Sequence, residues 1–166
     1  MRIINRLFFI FLFAALIFAI YFFYKSYGFI FFVKDQQTVK LVLKKNFFAK
    51  VQRELLVEIV NDEWSVSNGL SLRDDLVNQA GQQIDGMLFI FPQKEIRQFW
   101  MKDMLFEIDI CWLVDSSFIS CTRQATVSAI AQEKIIYRSP IKSNFVLETL
   151  PNKLSDNDLQ LKLFFK

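Results

Sequence analysis

From residue 7 to residue 24 the chain reads Leu-Phe-Phe-Ile-Phe-Leu-Phe-Ala-Ala-Leu-Ile-Phe-Ala-Ile-Tyr-Phe-Phe-Tyr, without a charge or a strongly polar side chain. At about 1.5 Å per residue this makes roughly 27 Å of helix, close to the ~30 Å hydrocarbon core of a bilayer. Tyr21, Tyr24 and Tyr27 gather at one end, where an aromatic belt would lie. A cleaved signal peptide is the alternative, but its apolar core runs about 7–15 residues and ends in small side chains. This stretch ends instead in Ile20-Tyr-Phe-Phe-Tyr24. The pattern predicts an uncleaved transmembrane anchor over 7–24, preceded by a basic segment (1–6) and followed by a juxtamembrane linker (25–37). Within that linker, Tyr27 to Val33 reads as an apolar tail or interfacial collar.

Beyond residue 37 the period changes. In Thr38-Val-Lys-Leu-Val-Leu43, Val39, Leu41 and Leu43 share one face, as in a half-buried strand. Lys44-Lys45-Asn46 reads as a turn, and Phe47 to Val51 and Leu55 to Val60 as further strands. Asp62 suits the N-cap of a short helix that Gly69 would close. Residues 77–85 read as a surface loop. Strands follow at about 86–91, 97–102, 107–114 and 117–123, with a turn at Asp115-Ser116-Ser117. Thr126 to Ala131 fits a strand or a helical turn, Phe145 to Leu150 a strand stopped by Pro151, and Leu159 to Phe164 a closing strand. Many short strands with one or two short helices predict a mostly β domain over 38–166, a small compact barrel or sandwich.

Composition narrows the chemistry. The chain has no histidine, which removes imidazole bases, His-based triads and His-ligated metals together. A net charge of +3 is too small to argue for nucleic acid. The positive excess lies in residues 25 to 53, where Lys25, Lys34, Lys40, Lys44, Lys45, Lys50 and Arg53 face Asp35 alone. Such a stretch suits anionic lipid headgroups or a solvated linker and edge strand. Arg2 and Arg6 before the span are matched by Lys25, Lys34 and Lys40 after it, so the positive-inside count does not set the orientation.

Several motifs stand in a fixed order: Glu58-Ile-Val-Asn-Asp62 with Gly69-Leu70 and Arg73, Gly86-Met-Leu-Phe-Ile-Phe-Pro92, Phe99-Trp-Met-Lys102, Ile108-Asp-Ile110, Tyr137-Arg-Ser-Pro140 and Phe145-Val-Leu-Glu148. Through them, and through a weaker echo over Leu154 to Leu163, residues 39 to 163 resemble the DUF192 (UPF0127) family. These are small bacterial and archaeal proteins of unknown function, often secreted or membrane-anchored. The motifs are similar to the family's "GMLFxF", "FWMKNT", "PLDI", "YxSP" and "YVLE". The chain departs from the pattern at Asp103-Met104 (usually Asn-Thr), Glu107 (commonly Pro) and Ser117 (a turn glycine). The resemblance implies a soluble domain outside the cytoplasm.

Candidate chemistry centres on the block from Gly86 to Asp109. Trp100 suits a ligand-stacking ring or a core aromatic. Lys102, in an apolar strand region, calls for a counter-ion among Asp103, Asp109 and Glu148, or binds an anionic ligand group together with Arg73. Asp109 points to the opposite face from Ile108 and Ile110, toward solvent or a concavity. Asp103, Glu107, Asp109 and Glu148 are oxygen donors for a hard cation, but their spacing matches no established metal loop. Cys111 and Cys121 lack CxxC spacing and read as buried free thiols. A three-residue loop over 115–117 would place them opposite each other and permit a cross-strand disulfide.

The reading that follows is a membrane-anchored, non-catalytic binding module without metal or cofactor. Arg73, Trp100, Lys102, Asp109 and Ser139 would form one face contacting a small anionic ligand or a protein partner. The alternative is a hydrolase or transferase using Asp109 or Asp103 as acid or base with Lys102 as electrostatic stabiliser. A concave pocket holding an acid of displaced pKa would favour chemistry, and a flat apolar surface around Trp100 would favour protein partners.

Overall fold

The apolar N-terminal stretch forms a helix, α1 (Arg2–Tyr27). The computed structural model describes residues 2–27, 33–127 and 135–166, and the chain divides into two units, Met1–Val33 and Lys34–Lys166. In α1 the side chains are described from Phe9 to Tyr21, and all of them are exposed. Among the described residues, no helix is long and apolar enough to cross a membrane. The structure therefore shows a helix over the expected 7–24 span and does not show a transmembrane one. Most of the expected collar, and most of the ambiguous segment from Thr126 to Ala131, lie outside the described residues.

The second unit is a closed barrel with strand order β1-β2-β3-β8-β5-β6-β9. Its strands are β1 (Thr38–Lys44), β2 (Arg53–Val60), β3 (Gly86–Glu95), β5 (Ile108–Val114), β6 (Ser117–Ala125), β8 (Ser143–Thr149) and β9 (Lys162–Phe165). Two short strands, β4 (Gln98–Trp100) and β7 (Ile136–Arg138), pair apart from it. A closed barrel, not a sandwich, is the outcome, because β9 pairs with β1 on one side and β6 on the other. Neighbouring strands run antiparallel except β2 and β3, which are parallel. A parallel pair needs a crossover. Residues 61–85 provide it, and they carry the helix α2 (Glu63–Asn68).

The sequence explains α2 locally. The Asp62 carboxylate accepts the Trp64 amide at the N-terminus, and Gly69 closes the helix at φ 50°. Residues Phe47 to Val51, expected as a strand, are instead the turn between β1 and β2. Their Phe47 and Phe164 rings meet edge-on, so the aromatic character serves packing rather than pairing.

Alternation along β3, β5 and β8 divides their side chains between two buried faces. Met87, Phe89, Ile108, Ile110, Trp112 and Val146 belong to a cluster outside the barrel wall, completed by Leu70, Leu76, Ile84, Met101 and Met104 from the covering loops. The opposite parity, including Leu88, Cys111, Leu113 and Leu147, fills the barrel interior and is equally buried. The crossover and the β4 region thus cover one outer wall of the barrel, and the candidate site lies beneath them.

Candidate functional site

The strand register builds a row across that outer wall. Glu58 on β2 pairs with Met87 on β3, Met87 with Glu148 on β8, and Glu148 with Ile110 on β5. Two carboxylates therefore flank a methionine under the crossover, and both are buried. Glu58 is met by Arg73: Nη1 donates to Oε2 at 2.8 Å and Nη2 to Oε1 at 2.9 Å, while Nη1 also donates to the Val77 carbonyl at 2.5 Å. This is the bidentate geometry in which a guanidinium holds a carboxylate most firmly.

Glu148 has no such partner. It is 5% exposed, and among the described residues its carboxyl makes no hydrogen bond and no ion pair. Burial pushes its carboxyl up to about 8, and the nearby Arg73 charge only partly opposes this. The carboxyl looks into a cleft of about 340 Å³ walled by Phe89, Phe91, Phe99, Trp100, Met101 and Met104. Phe99 sets the wall by meeting Phe89 at 4.9 Å and Trp112 at 5.6 Å, both edge-on. A second depression of about 480 Å³ lies over Glu58, Arg73 and Met87 and shares Asn68, Gly69 and Ser71 with the first.

The tether between the covering loops comes from backbone geometry. Ser71 Oγ donates to the Lys102 carbonyl at 2.9 Å, and the Leu72 amide to the Asp103 carbonyl at 2.7 Å. Asp103 stands at φ 55°, a left-handed conformation that Asp and Asn tolerate well. Its carboxylate faces solvent and meets Lys102 Nζ at 3.8 Å. Met104, where the resemblance would lead one to expect Thr, is buried in the cleft wall and makes it more apolar.

The five expected site residues do not converge. Arg73 lines the second depression but is committed to Glu58. Trp100 lines the cleft with 45% of its surface exposed. Lys102 is exposed rather than embedded in an apolar strand, because β4 ends at Trp100 and residue 102 belongs to a turn. Its ammonium lies 5.5 Å from the centre of the Trp100 ring.

Asp109 is fully buried on the other face of β5. It accepts from Arg123 Nη1 at 2.8 Å and from the Gln124 and Asn152 amides at 2.8 and 2.9 Å. This hydrogen bond with Asp109 raises Arg123 above the ordinary arginine value. Asp109 is thus a structural staple for two residues in left-handed conformation, Gln124 and Asn152. Ser139 is buried and joins β4 to β7: its Oγ accepts the Arg97 amide at 2.8 Å, and its own amide donates to the Arg97 carbonyl at 2.9 Å.

The cysteines also differ from the expectation of free thiols. Cys111 and Cys121 are directly opposed and bonded, with Cα atoms 4.0 Å apart. The loop between them is a two-residue turn over 115–116, with Val114 opposite Ser117. That register alone would set Cys111 against Ser120. A bulge between the Trp112 and Leu113 pairings shifts β6 by one residue and brings Cys121 into place.

Glu58 escaped sequence reasoning as a site residue, and Glu148 entered it only as a counter-ion for Lys102 or an oxygen donor for a cation. The signal available was a carboxylate inside each of two strands whose neighbours are apolar, Val57/Ile59 and Leu147. Among the described residues, no group of three acidic or cysteine side chains is placed to hold a metal ion.

Two solved structures share the fold. One is a candidate transcription regulator from Sinorhizobium meliloti 1021, with TM-score 0.62 and 18% identity, covering 80% of this chain and 97% of the other. The second is a protein of unknown function from Novosphingobium aromaticivorans DSM 12444, with TM-score 0.58 and 15% identity, covering 78% of this chain and 85% of the other. At these identities the likeness is one of fold alone. No curated protein is significantly similar to the chain. The family model DUF192, described as an uncharacterized ACR, matches residues 44–161, which takes in all of the cleft. That match spans most of the chain, and the protein belongs to the DUF192 family.

Proposed function

We propose that the protein is a membrane-anchored, non-catalytic module that binds a small ligand in the cleft above Glu148, outside the cytoplasm. One observation carries the ligand reading: an unpartnered, buried carboxyl forms the floor of an aromatic cleft of about 340 Å³. Ligand sites are typically apolar concavities with a few placed polar groups, and a perturbed titratable group marks them further. The anchor is supported by the uncharged stretch 7–24 within α1 and by the exposed apolar side chains of Phe9 to Tyr21. The Cys111–Cys121 disulfide supports an oxidising compartment for the barrel.

The non-catalytic reading is supported by how the polar groups are used. Asp109 is saturated by hydrogen bonds, and Asp103 and Lys102 face solvent. The cleft hydroxyls of Ser67 and Ser71 donate to carbonyls and make no bond to Glu148 among the described residues. The expected anionic ligand rested on Arg73 and Lys102. Neither points its charge into this cleft, and the ligand's class is better argued from Glu148.

The test is a small-molecule screen on the full chain in detergent, read by methyl NMR of Met101 and Met104. Compounds that bind should shift both methyls. A diverse aromatic and aliphatic set that moves neither would end the proposal.

A further inference from the structure

The cleft holds a carboxyl, and the cations around it are engaged elsewhere. Arg73 is occupied by Glu58 and the Val77 carbonyl. Arg97, at the cleft's edge, stacks 3.9 Å over the Phe91 ring. Its Nη2 donates to the Gln93 carbonyl at 2.5 Å, its Nε to the Ser143 carbonyl at 3.4 Å, and its Nη1 pairs with Glu95 at 3.4 Å. Lys102 lies outside, over Trp100 and beside Asp103. A buried carboxyl in this state keeps its hydrogen-bonding capacity for whatever occupies the cleft.

We infer that the cleft takes an organic cation, an ammonium group on an aromatic or alkyl body, and that Glu148 is the carboxylate that pairs with it. The inference rests on the ligand-binding reading of the cleft and adds the ligand's class. An ammonium would supply the charge-assisted hydrogen bonds that Glu148 lacks. The wall favours the same ligand. Aromatic faces attract cations, Trp most of all, and the thioethers of Met101 and Met104 adapt to an irregular apolar body. Trp100 already meets one positive charge in this way, with Lys102 Nζ 5.5 Å from the ring centre. An anion would meet Glu148 with no free guanidinium to receive it.

Binding would be linked to protons. Burial leaves the Glu148 carboxyl protonated at neutral pH without ligand, opposed only in part by the Arg73 charge from the crossover; Arg97, before β4, lines the same cleft, and Glu58 on β2 lies across Met87. Pairing with an ammonium favours the carboxylate, so the carboxyl proton passes to solvent as the ligand enters. One proton leaves, one ion pair forms, and the ligand keeps its own protons.

The experiment is calorimetry on the full chain in detergent with three indoles of similar shape: tryptamine (cation), 3-ethylindole (neutral) and indole-3-propionate (anion). Tryptamine should bind at least about tenfold more tightly than the other two. In buffers of different ionisation heat it should release about one proton near pH 7. Glu148→Gln should abolish the proton release and the tryptamine preference, so that tryptamine and 3-ethylindole bind alike. That amide keeps the shape of the side chain and removes only its ability to ionise, so folding is expected to persist. Trp100→Ala, at a half-exposed position, should weaken tryptamine further. Equal binding of all three probes, preference for the anion, or insensitivity to Glu148→Gln would overturn the inference and leave the cleft as a binding site. Binding by none of them would overturn both.

Discussion

Arg73 reaches back over the barrel wall and grips Glu58 through both guanidinium nitrogens, at 2.8 and 2.9 Å, with the carboxylate almost wholly buried. The pair is what pins the crossover after α2 onto β2. Its side effect is that the Arg73 guanidinium, whose charge is felt at Glu148, is already engaged.

Breaking this pair from one side should be costly, because it leaves a buried charge uncompensated. Arg73→Ala is expected to lose about 3–5 kcal/mol of stability, read as a lowered urea midpoint. Arg73→Met combined with Glu58→Leu should lose much less than the sum of the two single changes. Additive losses would show that the pair does not act as a unit.

Asp109 and Lys102 make a sharp contrast. Asp109→Ala removes the acceptor for Arg123 and for two amides, and should lose about 3–5 kcal/mol. Lys102→Ala touches an exposed pair and should change stability by less than ~1 kcal/mol. Thermal melts of both variants check this, and a stable Asp109→Ala protein would contradict the staple assigned to it.

Glu148 predicts an alkaline loss of stability. Its carboxyl titrates near 8 in the fold against an ordinary 4.5. The folded state therefore holds this proton more tightly than the unfolded chain. The contribution is fully present below about pH 4.5 and falls as pH rises through 8, by at most about 1.4 kcal/mol per pH unit. Glu148→Gln should flatten that decline and exceed the parent protein in stability at pH 9. Parallel pH profiles for the two would refute the assignment.

The disulfide makes a two-part prediction. Protein isolated without reductant should show no free thiol, and two after reduction in denaturant. Cys111→Ala with Cys121→Ala should lower stability by about 2–3 kcal/mol, the loop being short. Two reactive thiols in freshly isolated protein would remove the bond and its argument for an oxidising compartment.

Gly86 lies opposite Thr149 where β3 meets β8, and a Cβ there would stand 2.6 Å from the Glu148 carbonyl oxygen. That neighbour is backbone and cannot swing aside. Gly86→Ala should therefore destabilise by about 1–3 kcal/mol through overpacking, and it should disturb ligand binding at Glu148 as well. A neutral effect on urea midpoint would show that β8 yields more easily than the geometry implies.

Much of this molecule is written locally. The two-residue alternation of β1 and β2, the cap at Asp62, the closing Gly69 and the long apolar run of α1 are all decided by nearest neighbours, and they emerge in the structure where the pattern puts them. Residues 47–51 form no strand because Phe47 packs against Phe164 instead of pairing, and β4 is shorter than expected because residues 101–104 turn instead of continuing. The candidate site was less legible. Alternation reveals that Asp109 and Glu148 each leave their apolar neighbours, but not which face of the sheet each one joins. A one-residue change of register exchanges the two faces, and register here depends on partners far along the chain and on a bulge in β6. The sequence alone therefore determined the family, most of the barrel strands and the apolar N-terminal stretch. Only the tertiary structure decided that Asp109 is a staple, that Arg73 belongs to Glu58, and that Glu148 is left unpartnered beneath a cleft, because those outcomes depend on long-range closure of the barrel.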